Sequence, residues 1–335
     1  MIEARLNNFF NQLPSIHALV LGDLMVDRYS YVRHERMSPE APVPVWDLAH
    51  RDSRLGGAGH VALNLKSLGC QVSLVGLVGQ DADGTLLRNL LKEQQLDDQF
   101  IVSSPWRRTT LKHRIISQNT HLARLDEEDI QDADLMEEDL LKTALLSAFK
   151  DVDVIIMQDY NKGVLSDPMI QLALSMARDR SIPVAVDPKK RNFFSYTEVA
   201  LFKPNHKELC EAMNSLIPKN DYAGLHAMML ECKNRIKAHS ILLTLSEEGI
   251  LFQQDAVQGH IPAQPLEVID VSGAGDTVIA VAACALAVNL PIDLIAALSN
   301  LAGGLACTQA GVCPVGHESL RNAAQQLTLS TQTAP

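Results

Sequence analysis

Short apolar segments alternate with longer amphipathic segments along most of the chain. The apolar segments, each predicted to be a strand, are residues 17–21, 72–78, 152–157, 184–186, 199–202 and 241–245. Helical periodicity is found in residues 2–13, 61–68, 85–95, 134–149, 167–180 and 221–238, and in two segments that begin at Thr277 and Ile292. Strands that are apolar along their whole length are typical of parallel sheets buried on both faces. The pattern therefore predicts an α/β fold in which helices cover both faces of a mostly parallel sheet.

Two extended segments, residues 28–52 and 104–126, interrupt this alternation. The first contains three prolines within six residues, which is unfavourable inside a wound sheet. The second is typical of a hairpin whose turn lies at residues 117–120. We expect the two segments to form a small β-sheet lid on a single domain of residues 1–330, followed by a tail of residues 331–335.

Composition excludes several classes of protein. The 335 residues include 29 Lys and Arg against 40 Asp and Glu, a formal net charge of −11. An acidic chain without a basic block is poorly suited to nucleic acid or to a membrane surface. The longest apolar run, residues 278–288, has 11 residues, whereas a membrane-spanning helix needs about 20. A polyanionic small molecule would have to be held by backbone amides and a few placed cations.

The cysteines and the N-terminus indicate the cytoplasm. None of the six cysteines forms a Cys-x-x-Cys pair, and most lie in apolar, helix-like surroundings. Buried free thiols of this kind are typical of proteins from a reducing compartment. Residues 1–13 include Glu3 and lack the apolar stretch and cleavage site of a signal peptide. We therefore expect a cytoplasmic protein.

The segment Asp270-Val-Ser-Gly-Ala-Gly-Asp276 carries the most chemistry in the sequence. We expect it to follow a short strand, residues 266–269, and to precede a long apolar helix. Gly273 and Gly275 allow a tight turn that presents N–H groups at the helix N-terminus, an arrangement that binds phosphate. A carboxylate beside phosphate is unfavourable unless it has a role, and Asp276 could accept the proton of an attacking hydroxyl. A plain glycine turn in which Asp276 caps the helix explains the same residues.

Asn205 and Glu208 stand three residues apart at the predicted start of another helix, directly after Pro204. This spacing is that of a capping box, in which the two side chains bind each other's backbone N–H groups. The functional alternative is that Glu208 orients water on a magnesium ion beside the phosphates. Spacing alone leaves both interpretations open.

The segment Gly57-Ala-Gly-His-Val-Ala62 matches the dinucleotide-binding pattern G-x-G-x-x-A, but its surroundings do not. The charged residues 51–54 precede it in place of a buried strand, and no strand with a terminal acid follows at the expected distance. A glycine-rich turn that lets a ligand approach the backbone fits better. The sequence also lacks Walker, HExxH, GxSxG and paired CxxC motifs, and its eleven histidines show no metal-ligand spacing.

Several cations fall close to predicted turns. Lys162 and Lys189 each follow a predicted strand, at the sheet edge where open α/β sheets bind ligands. Others lie on the two extended segments: Lys112, Arg114 and Arg124 on the hairpin, and Arg28 and Arg36 on the first segment. A solvated charge is the ordinary role for any one of them. In an acidic protein, however, an anionic ligand needs cations in direct contact, because long-range attraction is absent.

Together these segments resemble the ribokinase/PfkB-type sugar kinases. Gly56-Gly-Ala-Gly-His-Val-Ala-Leu-Asn64, followed by Leu68-Gly69, is similar to the N-terminal glycine signature of that family. The segment from Asp270 to Asp276 is similar to its C-terminal signature, and Asn205-His-Lys-Glu208 to its magnesium-associated motif. The resemblance spans residues 16–320 and implies a ribokinase-like fold.

A finer resemblance is to bacterial D-glycero-β-D-manno-heptose-7-phosphate kinases of lipopolysaccharide core-precursor synthesis, in a kinase-only form. It is carried by Gly22-Asp23, Asp27-Arg28-Tyr29, residues 38–44, Lys112-His-Arg114, Arg124-Leu-Asp126, Asp159-Tyr-Asn-Lys-Gly163 and Asp187-Pro-Lys189. Many such kinases are fused to a nucleotidyltransferase; since this sequence ends after the kinase, we expect another protein to carry out the adenylyl transfer. His60 and Gln158 stand where the pattern usually has Asn and Ser, and Ser272 replaces the common Thr.

The resemblance implies ATP-dependent phosphorylation of a heptose 7-phosphate at its anomeric oxygen, giving the 1,7-bisphosphate for ADP-heptose synthesis. Asp276 is then the general base, and Glu208 assists Mg²⁺ through water. The transferring phosphoryl group is expected at the amides of Gly273, Ala274 and Gly275. The nucleotide is expected near Asn205, Ser246, Gly249, Asp270, Ser272 and Asn300. The sugar phosphate is expected near Asp23, Asp27, Arg28, Gly56, Gly57, Asn64, Lys112, Arg114, Arg124, Asp159, Lys162 and Lys189.

The implied cofactors are ATP and Mg²⁺, with a requirement for K⁺ left open. Three alternative functions also stay open. The first is a PfkB-type kinase of another sugar, sugar phosphate or nucleoside. The second is an NAD-dependent oxidoreductase that uses residues 57–62. The third is a catalytically silent sugar-binding regulator, which the presence of Asp276 disfavours.

The expected lid predicts a partner. Its apolar face would be formed by Val43, Val45, Leu111, Ile115 and Leu122. An isolated small sheet with an exposed apolar face is unstable in water. Packing against the same sheet of a second chain would cover that face, so we expect a symmetric homodimer that pairs through the lid.

Overall fold

The computed structural model describes residues 2–118 and 120–332. The strands, in chain order, are β1 (His17–Gly22), β2 (Leu24–Met37), β3 (Pro44–Gly57), β4 (Gln71–Gly79), β5 (Ile101–Ser104), β6 (Thr110–Ser117), β7 (Thr120–Glu127), β8 (Val154–Gln158), β9 (Val184–Asp187), β10 (Leu201–Phe202), β11 (Ser240–Thr244), β12 (Ile250–Gln254) and β13 (Val257–Ile261). The helices are α1 (Ile2–Gln12), α2 (Ala58–Ser67), α3 (Ala82–Glu93), α4 (Leu135–Ala148), α5 (Asp167–Asp179), α6 (His206–Ala212), α7 (Tyr222–Ile236), α8 (Ala274–Ala287), α9 (Ile292–Cys307) and α10 (His317–Gln332).

A nine-stranded sheet forms the centre of the molecule. Its strand order is β13-β12-β11-β10-β9-β8-β1-β4-β5, and all neighbours are parallel except for β12 and β13 at one edge. Because successive side chains of a strand point to opposite faces, β1 supplies both layers of the core. Ala18 and Val20 join the cluster that contains α2, α8 and α9, whereas Leu19 and Leu21 pack with α4, α5 and α7. The predicted two-sided α/β fold is confirmed.

A separate four-stranded sheet, in the order β3-β2-β6-β7, forms the predicted lid. β2 pairs antiparallel with β3 and parallel with β6, and β6 pairs antiparallel with β7. β2 and β3 extend beyond the first predicted segment, residues 28–52, at both ends. β2 starts two residues after β1 ends, and β3 continues directly into α2. The lid is therefore joined to the central sheet at the point where β1 ends.

Of the five residues predicted for the exposed apolar face of the lid, Leu111 is buried, and Val45 and Ile115 are half-buried. Leu111 is buried in the main core, so its assignment to an exposed lid face is wrong. Leu111 lies near the start of β6, where the lid meets the main sheet, and its side chain is covered there. Val43 and Leu122 are exposed as predicted, and the lid also exposes Met37, Leu48 and Leu125.

The short strand predicted over residues 266–269 is wrong. The chain there is irregular, and the N–H groups of Ile269 and Asp270 both bind the carbonyl of Cys307 at the end of α9. Pro262 and Pro265 lie just before this segment, and proline cannot donate a ladder hydrogen bond. The glycine-containing loop thus approaches α8 from the end of α9 and not from a strand.

The sequence pattern did not indicate every element of the fold. β5, β12, β13 and α10 were not predicted, and α10 extends through Gln332. Residues 333–335 of the predicted tail and Asn119 of the predicted turn lie outside the described residues. All six cysteines are free, as predicted. Within the described part of the chain, no helix is long and apolar enough to cross a membrane.

Candidate active site

The carboxyl ends of the parallel strands bring several polar side chains to one edge of the sheet. Gln158 ends β8, Asp187 ends β9, and Lys203 follows β10. All three are buried, at 0%, 5% and 2% of their accessible surface. Buried polar groups need partners, and these side chains find them in each other. Gln158 Nε2 donates to Asp187 Oδ2 over 3.1 Å, and Lys203 Nζ lies 3.1 Å from the same oxygen.

Asp276 lies in the first turn of α8, next to this group, and is 4% exposed. Tyr160 Oη donates to Asp276 Oδ1 over 2.7 Å, and Gln158 Nε2 donates to the same oxygen over 3.1 Å. His60 Nδ1 lies 3.2 Å from Oδ2. Burial and the Asp276 carboxylate raise the pKa of Tyr160 well above its usual 10, so the phenol stays protonated and remains a donor. The carboxylate is therefore held from three directions.

Gly273 allows α8 to begin beside His60. It is the N-cap of α8 with φ +79°, a conformation that favours glycine. A β-carbon there would lie only 2.5 Å from His60 Cε1. The first N–H groups of an α-helix have no partner within the helix and carry a partial positive charge. The predicted residues Gly273, Ala274 and Gly275 thus form a helix N-terminus beside Asp276, a suitable place for a phosphoryl group.

Asn205 and Glu208 form the capping box that their spacing predicts. Asn205 Oδ1 accepts the N–H of Glu208 over 2.9 Å, and Glu208 Oε2 accepts the N–H of Asn205 over 2.8 Å. The other oxygen of Glu208 accepts a hydrogen bond from Lys189. Burial disfavours the Lys189 ammonium, but the carboxylates of Asp187 and Glu208 outweigh it and raise the pKa of Lys189. The capping-box interpretation of this motif is confirmed, and Glu208 also contacts Lys189 of the site.

Two predicted sugar-site aspartates hold the loop of residues 159–164. Asp23 accepts the N–H groups of Tyr160, Lys162 and Val164 over 2.7, 3.0 and 3.1 Å. Asp159 accepts a hydrogen bond from Tyr196 Oη over 2.7 Å. Burial and the nearby charge of Asp23 raise the pKa of Asp159 to about 6. Both carboxylates are used within the protein, and they fix the backbone that carries Tyr160.

The lid presents cations toward this edge of the sheet. Lys112 and Arg114 are two residues apart on β6 and therefore share one face. Arg114 pairs with Asp27 of β2, and Lys112 Nζ lies 4.8 Å from the centre of the Tyr160 ring. Lys189 Nζ lies 5.1 Å from the same ring. Burial lowers the pKa of Lys112 although the charges of Asp27 and Asp276 oppose it, so an anionic ligand beside Lys112 would favour its charged form.

Three other predicted cations pair with acidic side chains other than Asp276. Arg28 pairs with Asp83 of α3, and Lys162 Nζ lies 2.7 Å from Glu128 Oε1. The Arg124 side chain is 57% exposed and pairs with Asp126 on its own strand. The structure does not bring these three side chains into the hydrogen-bond network of Asp276. Arg124 belongs to the open rim of the lid.

The predicted glycine signature joins the lid to α2. Gly57 has φ +56°, and a β-carbon there would lie 2.5 Å from the Asp23 carbonyl, so only glycine fits. Gly56 packs equally closely against Asp27. Asn64, one turn into α2 beyond His60, is buried and contacts that histidine. The preceding strand belongs to the lid and not to a dinucleotide-binding unit, so the oxidoreductase interpretation of residues 57–62 is wrong.

Several predicted nucleotide residues contact the segments next to β12 and β13 or the loop before α8. Asn300 Nδ2 donates to the Pro262 carbonyl over 2.8 Å, and a β-carbon on Gly249 would lie 2.6 Å from the N atom of Ala263. Ser246 begins the short turn that ends at Gly249. Asp270 accepts the N–H groups of Ser272 and Gly311 over 2.9 and 3.0 Å and so shapes the loop before α8.

Sequence reasoning assigned no site role to four residues, Tyr29, Arg54, Tyr160 and Lys203, although Tyr29 and Tyr160 stand in motifs that carry the resemblance. Arg54 and Arg114 lie over the Tyr29 ring at 5.4 and 5.3 Å, and Arg54 Nη1 donates to the Ala310 carbonyl over 2.8 Å. Lys203 follows a predicted strand, so the rule that selected Lys162 and Lys189 could have found it. The role of Tyr160 depends on a contact with a residue 116 positions away, which no local pattern indicates.

The protein side chains at this edge could supply only part of the coordination of a metal ion, and a bound ligand would supply most of it. No group of three or more His, Cys, Asp or Glu side chains that could hold a metal ion occurs in residues 2–118 and 120–332. Asp187 and Glu208 are nevertheless close enough for the Glu208 charge to raise the pKa of Asp187, behind burial as the main cause. Magnesium in phosphoryl-transfer enzymes commonly takes one or two carboxylates, substrate phosphates and water.

Comparison with known proteins agrees with this geometry. Residues 15–318 match the model of the pfkB family of carbohydrate kinases. The chain is 38% identical over 324 residues to the Bifunctional protein HldE of Syntrophotalea carbinolica, with 96% of this chain and 66% of that protein covered. It is 39% identical over 309 residues to the Bifunctional protein HldE of Trichlorobacter lovleyi, with 92% and 62% covered. The chain thus spans less than two thirds of the length of these relatives.

The fold also matches a solved structure. Phosphofructokinase-2 from Escherichia coli in complex with fructose-6-phosphate superposes with a TM-score of 0.74 at 18% identity, over 93% of this chain and 99% of that chain. At this identity the match shows a shared fold. With the family match over most of its length, the chain belongs to the PfkB family of carbohydrate kinases.

Proposed function

We propose that this kinase phosphorylates a heptose 7-phosphate at its anomeric oxygen, with ATP and Mg²⁺ as cofactors, in the cytoplasm. The observation that carries the sugar-phosphate assignment is the pair of ammonium groups of Lys112 and Lys189 over the Tyr160 ring, whose hydroxyl binds Asp276. Positive charge from the lid and from the sheet edge thus meets beside the proposed base. The motifs that resemble those of heptose-7-phosphate kinases favour a heptose as the sugar, and the relatives named HldE support that choice.

The proposed reaction uses Asp276 as the general base. The anomeric hydroxyl of the sugar gives its proton to the Asp276 carboxylate, and its oxygen forms a bond to the γ-phosphorus of ATP. The bond between that phosphorus and the β–γ bridging oxygen breaks, and ADP leaves. The N–H groups at the start of α8 stabilise charge on the transferring group, a step that depends on positioning and electrostatics.

Magnesium would be held at the edge formed by Asp187 and Glu208. When bound, it neutralises the charge of the ATP phosphates. Lys189 hydrogen-bonds Glu208, and Lys203 pairs with Asp187, so both carboxylates are fixed in place before a ligand arrives. We assign the nucleotide to the side of Asn205, Gly249 and Asn300 and the sugar to the side of the lid.

The phosphate of the sugar would be recognised by direct cation contacts. Lys112 and Arg114 share one face of the lid with Asp27 of β2, the partner of Arg114. A dianion next to Lys112 would compensate the burial that lowers its pKa. Charged hydrogen bonds contribute about 1.5–3 kcal/mol each. Two of them would favour the phosphorylated over the free heptose by about two to four powers of ten in kcat/KM.

Substrate profiling tests the proposal. ADP release would be measured at fixed ATP with heptose 7-phosphate, free heptose, fructose 6-phosphate and a nucleoside. We expect heptose 7-phosphate to give the highest kcat/KM and free heptose to be at least a hundredfold poorer. Equal efficiency for the two heptoses would overturn the sugar-phosphate assignment, and a higher value for fructose 6-phosphate would move it to a hexose phosphate.

We also infer a homodimer that pairs through the lid. Met37, Val43, Leu48, Leu122 and Leu125 are all between 40% and 55% exposed on this small sheet. An apolar surface of this kind on a protruding sheet is typical of an interface. A second copy with twofold symmetry would place the two apolar surfaces against each other. Light scattering in dilute solution tests this, since a mass of 36.7 kDa would indicate a monomer.

A further inference from the structure

Two side chains that depart from the heptose-kinase pattern contact the same carboxylate. His60 lies on α2 and Gln158 ends β8, yet each is within 3.2 Å of an oxygen of Asp276. Both side chains are fully buried. The two departures from the pattern therefore meet at the proposed general base.

A chain of hydrogen bonds fixes the protonation of His60. The Val315 N–H can only donate, so Asn64 Oδ1, at 3.1 Å, accepts from it, and the Asn64 amide nitrogen must face His60. Asn64 Nδ2 lies 3.1 Å from His60 Nε2, so that ring nitrogen accepts and bears no proton. His60 is then neutral, and its proton lies on Nδ1, which donates to Asp276 Oδ2.

The partners of Gln158 fix its orientation in the same way. Its nitrogen lies 3.1 Å from Asp187 Oδ2 and 3.1 Å from Asp276 Oδ1, and only the NH₂ end of the amide can donate to two carboxylates. Asp276 Oδ1 therefore accepts two hydrogen bonds, from Gln158 and Tyr160. Oδ2 accepts one, from His60. Since each carboxylate oxygen has two lone pairs, Oδ2 has one lone pair left among these contacts.

We propose that His60 and Gln158 are positioning residues that direct the Asp276 carboxylate so that Oδ2 takes the proton of the acceptor hydroxyl. This inference rests on the proposed role of Asp276 as the general base. The proton moves from the sugar hydroxyl to Oδ2, while the oxygen–phosphorus bond forms and the bond to the leaving ADP breaks. The His60 N–H stays in place and holds Oδ2 in line with the hydroxyl.

The test compares asparagine and leucine at position 60. Asparagine places its Nδ2 where the histidine has Nδ1, so His60→Asn keeps the donor to Oδ2 but fills less space. His60→Leu fills more of the space but has no donor. We expect His60→Asn to retain at least a third of the wild-type kcat. His60→Leu should lose about tenfold in kcat, the effect of one hydrogen bond to a charged group, with both KM values within threefold of wild type.

A purely structural role for His60 predicts a different order. The smaller asparagine would leave a cavity and cost more stability than leucine, so kcat would follow the melting temperature. Equal kcat losses in His60→Asn and His60→Leu, with both proteins folded, would overturn the proposal. If His60→Leu fails to fold, Gln158→Met decides, because methionine keeps the length of the side chain without its donor. We expect a tenfold loss of kcat there with KM for the sugar unchanged, and wild-type kcat would contradict the inference.

Asp276→Asn separates this inference from the proposed function. Near wild-type turnover in Asp276→Asn would show that Asp276 is not the general base, and the positioning role of both neighbours would fall with it. An inactive Asp276→Asn together with fully active His60→Leu and Gln158→Met would leave the base intact and refute the positioning alone.

Discussion

The transfer site around Asp276 and the lid over it are built on different principles. In the transfer site, Asp276, His60 and Gln158 are at most 4% exposed, and their hydrogen bonds lead to further protein groups. In the lid, β7 is exposed along its whole length, and Leu125 is 54% exposed. The first region is ordered before any ligand arrives, whereas the second has polar and apolar surface that a ligand or a second chain could cover.

This difference matches the chemistry of each region. Electrostatic stabilisation of phosphoryl transfer depends on groups that need no rearrangement during the reaction. Recognition of a sugar requires a surface that admits and releases it, and mobile elements over a rigid scaffold suit that task. Substitutions in the transfer site should therefore reduce the chemical step, and substitutions in the lid should change substrate choice or assembly.

The largest expected effect comes from Asp276→Asn. Asparagine has nearly the same size but cannot accept the proton, and loss of a general base typically costs about 10²–10⁴ in rate. We expect kcat to fall by that factor while ATP affinity stays close to wild type and the protein remains folded. Steady-state kinetics and a thermal melt measure both. Asp293→Asn is the matched control, because Asp293 lies in the first turn of α9 and is exposed.

The next effect concerns the pH dependence of stability in the buried region. Burial and Asp23 raise the pKa of Asp159 from 3.8 to about 6 in the folded protein. A raised pKa gives a contribution to stability that is present below pH 3.8 and lost as pH rises through 6. The shift corresponds to about 3 kcal/mol. Asp159→Asn should therefore gain about that much relative to wild type between pH 4 and pH 7.

Urea unfolding at several pH values measures this difference. Asparagine at position 159 can still bind the Tyr196 hydroxyl, so the variant removes the titration and keeps the contact. Asp139→Asn is the control, since the Asp139 side chain is 81% exposed. Parallel stability curves for wild type and Asp159→Asn across this pH range would show that Asp159 does not titrate there.

The buried and exposed regions also differ in how well the sequence predicts them. β8 and β9 were predicted because strands covered on both faces are apolar throughout. β12 and β13 were missed because they lie at the antiparallel edge, where Gln253, Gln254 and Gln258 interrupt the apolar pattern. Edge strands need not be apolar on both faces, so periodicity and composition indicate them poorly.

The same contrast holds within the candidate site. The capping box of Asn205 and Glu208 could be predicted, because its two hydrogen bonds join residues three positions apart. The contact between His60 and Asp276 joins residues 216 positions apart and arises only when α2 and α8 pack together. Local spacing identifies which residues could take part in chemistry. Tertiary packing determines which of them form hydrogen bonds with each other.

A smaller effect, about tenfold, is expected from Arg114→Met in the lid. Methionine keeps much of the side-chain bulk over the Tyr29 ring but removes the cation. The preference for phosphorylated over free heptose should shrink by at least about tenfold, the lower end of the value of one charged hydrogen bond, with little change in KM for ATP. Arg124→Met is the matched control, because Arg124 is paired in register with Arg114 but is exposed. Equal changes in both variants would contradict a specific phosphate contact at Arg114.

The smallest effect on catalysis is expected from charges on the outer lid. Leu48 and Leu125 are 52% and 54% exposed, and glutamate at either position should weaken a dimer that buries them, because an unpaired charge is costly to bury. We expect Leu48→Glu and Leu125→Glu to change the mass seen by light scattering from a dimer to 36.7 kDa, with kcat within threefold of wild type. Leu216→Glu is the control, since Leu216 is 98% exposed and lies outside the lid. A wild-type mass of 36.7 kDa, or a dimer unchanged in both lid variants, would show that the apolar lid surface is not the interface.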